Sequence, residues 1–183
     1  MAVLTVPPFE EKRQWPTLGP QVVAFIEDYL VFGPGDLRGQ PAQVDPEKQA
    51  LIYRMYEVFP KGHPQAGRRR FKRVGLSLRK GTAKTELAAW LAAVELHPLG
   101  PVRCDGFDAR GEPVGVGVRD PYIPLVAYTE EQSDELAFAA LRVILEYSSL
   151  ADDFDIGLER VMRVMGDGKA VSLAGLLDAR DGA

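Results

Sequence analysis

One stretch, RVGLSLRKGTAKTELAAWLAAVEL (residues 73–96), limits what the chain can become. Val74, Leu76 and Leu78 alternate with small or polar residues, the period-two pattern of a strand. From Thr85 onward Leu87, Ala88, Leu91, Ala92 and Leu96 recur at helical spacing, in an alanine-rich context that favours helix. A basic turn containing Gly81 joins the two. A strand that passes through Gly-Thr-Ala-Lys-Thr into a helix has the physical form of a phosphate-binding loop. Backbone N–H groups at the helix start point at the anion, a lysine adds a point charge, and a hydroxyl can hold Mg²⁺. Laid on Lys84-Thr85, the pattern G-x-x-x-x-G-K-[ST] puts Leu78 and Ala83 where its two glycines stand. Gly81 keeps one permissive backbone position, whereas Ala83 takes a positive φ only at a cost. The alternative is a strand–turn–helix whose basic turn is solvated and holds no ligand.

Charge supports an anion partner without naming it. The net charge is −4, yet residues 61–84 carry Lys61, Arg68, Arg69, Arg70, Lys72, Arg73, Arg79, Lys80 and Lys84 with no acid among them. The acids collect elsewhere, at Glu130-Glu131, Asp134-Glu135 and Asp152-Asp153-Phe-Asp155. Such segregation makes a local positive field that attracts phosphates, whether of ATP, of DNA or of both. A basic surface loop without a ligand has the same composition.

Other classes are disfavoured. A chain of 183 residues fits one domain with room for a core. No run approaches the roughly 18–20 apolar residues of a membrane span, and MAVLTVPPFEEKRQW is too acidic for a signal peptide. The single cysteine, Cys104, excludes an intrachain disulfide framework and suits a reducing cytoplasm. With His63 and His97 it makes no zinc pattern.

Taken in order, residues 1–20 hold Pro7, Pro8, Pro16 and Pro20 and are expected to form an extended arm. QVVAFIEDYL follows as an amphipathic helix, with Val23, Phe25, Ile26 and Tyr29-Leu30 on one face. FGPGDLRGQPAQVD (residues 32–45) is a Gly/Pro-rich loop ending on Asp45, an N-cap for a helix that opens at Pro46. That helix buries Leu51, Ile52, Met55, Tyr56 and Phe59. Residues 102–120 read as a hairpin turning at Asp108–Gly111, and Ile123–Tyr128 as a second buried strand. The latter delivers Thr129 to a long helix, where Thr129 and Gln132 resemble a capping box and Leu136, Ala140, Leu141, Ile144 and Leu145 form the core face. Asp167-Gly168 between β-capable runs signals a final hairpin.

Three segments add a resemblance. VVAFIEDYLVFGPGDLRGQPAQVDPEKQALIYRMYEVFP, RRRFKRVGLSLRKGTAKTELAAWLAAVEL and PLVAYTEEQSDELAFAALRVI, in this order, resemble the N-terminal ATPase region of tailed-bacteriophage terminase large subunits, over residues 22 to 175. The resemblance implies an α/β fold, the three-layer P-loop NTPase sandwich of the RecA/ASCE type. Residues 1–20 would be an arm, 21–60 a helical adenine-side segment, and 61–183 a partial ATPase core carrying the 102–120 hairpin as an insertion. It implies ATP and Mg²⁺ as cofactors. Lys84 would be the catalytic lysine and Thr85 the Mg²⁺ ligand, and Gly81, Thr82 and Ala83 would cradle phosphates. Arg79 or Lys80 would supply a further phosphate or sensor charge, with Lys80 the basic residue that terminases often carry four positions before the motif lysine. Gln49 would read the adenine edge, since an amide donates and accepts at once. Thr129 would touch nucleotide or relay to DNA, unless it only caps. Arg68, Arg69, Arg70, Lys72 and Arg73 are the candidates for duplex DNA. A terminase small subunit, a portal and further copies of the chain would be partners, in the cytoplasm of a bacterial host.

The family also needs a strand ending in Asp-Glu, the aspartate for Mg²⁺ and the glutamate for the attacking water. Only Leu176-Leu177-Asp178 approaches it, with Ala179 in place of the glutamate. The chain is therefore expected to be the front portion of such a protein, cut before Walker B and the nuclease domain, with an incomplete sheet. Nucleotide binding with at most slow hydrolysis follows. A non-catalytic DNA-binding module and an inert truncated prophage remnant are the alternatives.

Overall fold

The structure, a computed structural model, describes residues 15–77, 81–127 and 137–174. Its central element is a helix that is apolar on nearly every side. Along Lys84–Leu96, here α3, the side chains of Leu87, Ala89, Trp90, Ala92, Ala93, Val94 and Leu96 are buried. A helix with so little polar surface must be enclosed. It packs against α1 (Gly19–Tyr29), α4 (Ala137–Tyr147) and two strands of a sheet. The indole of Trp90, 1% exposed, donates to the Val31 carbonyl at 2.9 Å, so its buried N–H is satisfied.

The neighbouring helices follow their sequence cues. Pro20 sits in the first turn of α1, which buries Val22, Val23, Phe25 and Ile26. Asp45 caps α2 (Pro46–Met55) by accepting the Lys48 N–H at 2.9 Å, and Pro46 occupies the first turn, where its missing N–H is harmless. From α2, Ile52 and Tyr56 enter the core while Leu51 and Met55 pack at its margin. In α4, Ala140, Leu141, Ile144 and Leu145 are buried as expected from spacing, and Phe138, not expected, joins them, while Leu136 lies outside the described residues. Residues 128–136, including Thr129 and Gln132, lie outside the described residues, as do 1–14, 78–80 and 175–183 with Leu176-Leu177-Asp178.

Among the described residues six strands form two sheets. β1 (Arg103–Phe107) and β2 (Pro113–Val116) pair antiparallel around a turn in which Asp108 Oδ1 accepts the N–H groups of Arg110 (2.8 Å) and Glu112 (2.9 Å). Gln21 of α1 clips this hairpin to the body: its Nε2 donates to the Pro113 carbonyl (2.7 Å) and its Oε1 accepts the Gly115 N–H (2.9 Å). The second sheet has the order β3 (Tyr122–Ala127), β6 (Lys169–Ala174), β5 (Arg160–Arg163), β4 (Phe154–Ile156). β3 and β6 are parallel and the other pairs antiparallel. Tyr122, Pro124 and Val126 point away from the buried face of this sheet and are exposed, whereas Ile123 and Leu125 pack toward the core. The β5–β6 hairpin matches the Asp-Gly signal. β4, a three-residue strand, carried too little pattern to be expected.

Two expectations fail: α2 stops at Met55, so Phe59 lies beyond the helix expected to carry it, and the segment before α3 is not the expected strand. Residues 73–77 form no strand, and Val74 is 46% exposed. Alternation supplies a face, but a strand also needs a neighbouring backbone to pair with. Among the described residues no strand pairs with this segment, and the sheet begins at β3.

A buried arginine locks sheet to helix. Arg163 of β5 is 6% exposed and donates to three carbonyls, those of Leu96 at the end of α3, Arg119 (2.7 Å) and Val118 (2.9 Å). A cation at the carbonyl end of α3 also complements the helix dipole. Close packing at the same end explains Gly117, where a Cβ would lie 1.9 Å from the Pro98 carbonyl oxygen. Replacing Arg163→Leu strands these carbonyls and is expected to lower stability by about 3 kcal/mol, read as a shift in the urea midpoint.

Candidate nucleotide cleft

The turn before α3 has the backbone that an anion needs. Gly81 lies at φ +85°, and Ala83, the N-cap, lies at φ 52°, ψ 37°. Ala83 is the one described non-glycine residue with positive φ. It stands where the phosphate-loop pattern has glycine, and it adopts the conformation glycine would. The Cβ is tolerated because the residue is exposed, so the cost is torsional rather than steric against neighbours, about 1–2 kcal/mol.

This turn borders a cleft of about 700 Å³, within the range of small-molecule sites. Gly81, Ala83 and Glu86 line one side. The Gly/Pro-rich loop from Phe32 to Leu37 lines the other, with Gln43, Asp45 and Lys48 at the margin. Lys48 also ion-pairs with Asp45. Partial burial alone would raise the Asp45 pKa, but the hydrogen bonds and charge of Lys48 outweigh it and hold the carboxyl below its ordinary range.

The candidate residues are distributed unevenly around this cleft. Lys84 and Thr85 open α3 and are half-buried, as is Thr82. Arg79 and Lys80 fall outside the described residues. Gln49 is half-buried and its amide donates to the Val44 carbonyl at 2.9 Å, bracing α2 against the preceding loop; it does not line the cleft. Glu86, Asp45 and Lys48, which do, were not singled out as ligand-side residues from sequence. Spacing from the motif lysine would have pointed to Glu86. Among the described residues no cluster of three or more His, Cys, Asp or Glu side chains is placed to hold a metal ion.

The basic stretch divides into two parts. Arg69 pairs with Glu95 of α3 and stacks 3.8 Å from the Tyr56 ring centroid. Arg70 pairs with Glu57 at 2.8 Å and lies 4.1 Å from the Trp15 ring centroid. Arg54 shares Glu57, and Arg103 shares Glu95. These two arginines fasten the stretch to α2 and α3, whereas Arg68, Lys72 and Arg73 are exposed.

No family model matches the sequence and no curated protein does. A solved structure does match: the crystal structure of the HK97 bacteriophage large terminase aligns with 86% of this chain at a TM-score of 0.60 and 20% identity. The fold is similar to that of part of this phage large terminase. The chain spans 27% of that protein's length. The architecture is a mixed α/β one, with helices on one face of a mixed sheet. Among the described residues no helix is long and apolar enough to cross a membrane.

Two outcomes follow from the geometry. Ala83→Gly relieves the left-handed strain but loosens the unfolded chain, for a net gain of about 0.5–1 kcal/mol, measurable as a higher Tm; Ala83→Val lowers it. The Tyr56 hydroxyl, which donates to Glu95 Oε1 at 3.0 Å, has its pKa raised well above the ordinary tyrosine value, first by burial and then by the Glu95 charge, against an opposing pull from Arg69. The unfolded chain releases this proton near pH 10 while the folded chain keeps it. The stability from Tyr56 is therefore complete below pH 10 and falls above it, by up to about 1.4 kcal/mol per pH unit. Urea midpoints from pH 8 to 11 are expected to show a shallower alkaline decline for Tyr56→Phe.

Proposed function

We propose that this chain is the nucleotide-binding front part of a terminase-type DNA-packaging ATPase, and that the cleft before α3 takes Mg-ATP. The observation that carries this is Ala83: a non-glycine residue held in the left-handed conformation at the motif position, directly before a lysine and a threonine, at the edge of a cleft of about 700 Å³. In this reading the amides of Gly81 to Lys84 bind the β- and γ-phosphates, Lys84 neutralises their charge and Thr85 ligates Mg²⁺. Arg79 and Lys80 lie just upstream of that turn and add positive charge. The loop from Phe32 to Leu37 serves the adenine side, whereas Gln49, outside the cleft lining with its amide on the Val44 carbonyl, is not assigned to it. The terminase-like fold supports the assignment.

Chemistry beyond binding is a separate matter. Among the described residues neither β3, ending at Ala127, nor β6, ending at Ala174, closes on an Asp-Glu pair. The 183-residue chain alone is therefore proposed to bind nucleotide and to turn it over slowly at most. Duplex DNA, a small subunit, a portal and sister copies are the partners this assignment proposes. Arg68, Lys72 and Arg73, rather than the internally paired Arg69 and Arg70, are proposed to meet DNA phosphates. The alternative, a DNA-binding module independent of nucleotide, drew on the whole basic region 68–84, of which Arg69 and Arg70 are paired within the chain.

Calorimetric titration of Mg-ATP into the purified chain tests the assignment. Saturable one-site binding is expected, weakened at least about tenfold by Lys84→Ala and stripped of its Mg²⁺ dependence by Thr85→Ala. A chain that melts cooperatively yet takes up no Mg-ATP would refute it.

A further inference from the structure

The first turn of α3 holds the opposite wall of the cleft. Glu86 follows Thr85 directly, and its Oε1 accepts the Gly33 N–H at 2.8 Å. One turn further, Trp90 donates to the Val31 carbonyl, with its ring 5.5 Å from that of Phe32. Residues four apart share a helix face, so one face of α3 grips three consecutive residues at the mouth of the loop. That mouth is closed by the Phe32 N–H donating to the Gln40 carbonyl (2.8 Å) and the Gly39 N–H to the Phe32 carbonyl (3.0 Å). On its far side Arg38 donates to the Tyr147 hydroxyl of α4 at 3.0 Å and lies over its ring. Between these anchors the tip, Pro34 to Leu37, is exposed and borders the cleft.

We propose that Glu86 is a positioning residue for the nucleotide site, setting the distance between the phosphate turn and the loop that faces it. The proposal rests on the nucleotide assignment above and deepens it. A carboxylate beside an anion-binding turn repels phosphate charge, so Glu86 favours binding only through what it holds. What it holds is Gly33, a buried residue whose N–H has Glu86 Oε1 as its acceptor. Without that bond the loop keeps its own closure but loses its registration on α3. The base and sugar of a nucleotide, which meet the loop, then lose affinity. The phosphates, which meet the turn, do not.

The test compares Mg-ATP with inorganic tripolyphosphate, a ligand with phosphates alone, by calorimetry on the full chain, with amide exchange at Gly33 followed in parallel. Glu86→Ala is expected to weaken Mg-ATP about tenfold, to leave tripolyphosphate unchanged or slightly tighter, and to accelerate Gly33 exchange by about tenfold or more. Glu86→Gln keeps the acceptor oxygen and is expected to restore ATP affinity and Gly33 protection together. Lys84→Ala, the phosphate-side control, weakens both ligands. Equal weakening of ATP and tripolyphosphate by Glu86→Ala overturns the proposal, as does unchanged ATP affinity with Gly33 still protected. A wild-type chain that binds neither ligand overturns the nucleotide assignment first and this role with it; a wild-type chain that binds ATP while Glu86→Ala is indifferent overturns this role alone.

Discussion

Helix α3 offers almost nothing to water. From Leu87 to Leu96 its side chains are buried on several sides, and a helix of that kind is stable only when other elements surround it. α1, α4 and the β3–β6 pair supply that enclosure. Both ends of α3 are then pinned by polar groups that have no better place to be. At its start Glu86 and Trp90 fix the loop entered at Val31 to Gly33. At its end Arg163 reaches the Leu96 carbonyl and the strand-joining segment at Val118 and Arg119. The buried His97 next to it pairs with Asp153 at 3.1 Å and packs against Phe25 and Phe154. The cleft is thus positioned by the same hydrophobic requirement that makes the molecule fold.

The basic stretch shows how sequence charge and surface charge part company. A run with nine cations and no acid reads as one positive surface. Its complement lies elsewhere along the chain: Glu57 lies just past the end of α2 and Glu95 sits late in α3. Together they engage Arg54, Arg69, Arg70 and Arg103. The aromatic rings of Tyr56, Trp15 and Phe71 lie against three of those guanidinium groups, those of Arg54, Arg69 and Arg70, which makes such contacts worth more than open surface pairs. Long-range pairing of this kind leaves no local trace, so only three of the five arginines and lysines proposed for DNA remain open to solvent.

Legibility in the sequence followed the range of the interaction. The start of α2 was readable because its signals are local, Asp45 capping and Pro46 opening the helix, although the helix stops at Met55, short of the Phe59 that spacing placed on it. The β1–β2 and β5–β6 hairpins were readable for the same reason, through Asp108–Gly111 and Asp167-Gly168. Residues 73–77 misled because alternation of Val74 and Leu76 describes only half of a strand; the other half is a partner backbone, which no local pattern reports. β4 went unseen since three residues cannot show a period. At the cleft, the turn itself was legible from Gly81, Lys84 and Thr85. The opposing wall was not, because Glu86 meets Gly33 across more than fifty residues of chain.

Ala83 carries a lesson about what a motif records. A glycine in a consensus stands for a torsion angle, and any residue able to reach that angle without a collision meets the same need. Here the extra methyl group faces solvent, so the turn keeps its shape for a modest energetic penalty. A letter-matching scan discards such a chain, whereas an anion approaching the amides would meet the same backbone. Substitution at this position is limited by branching at the β-carbon more than by the loss of glycine itself.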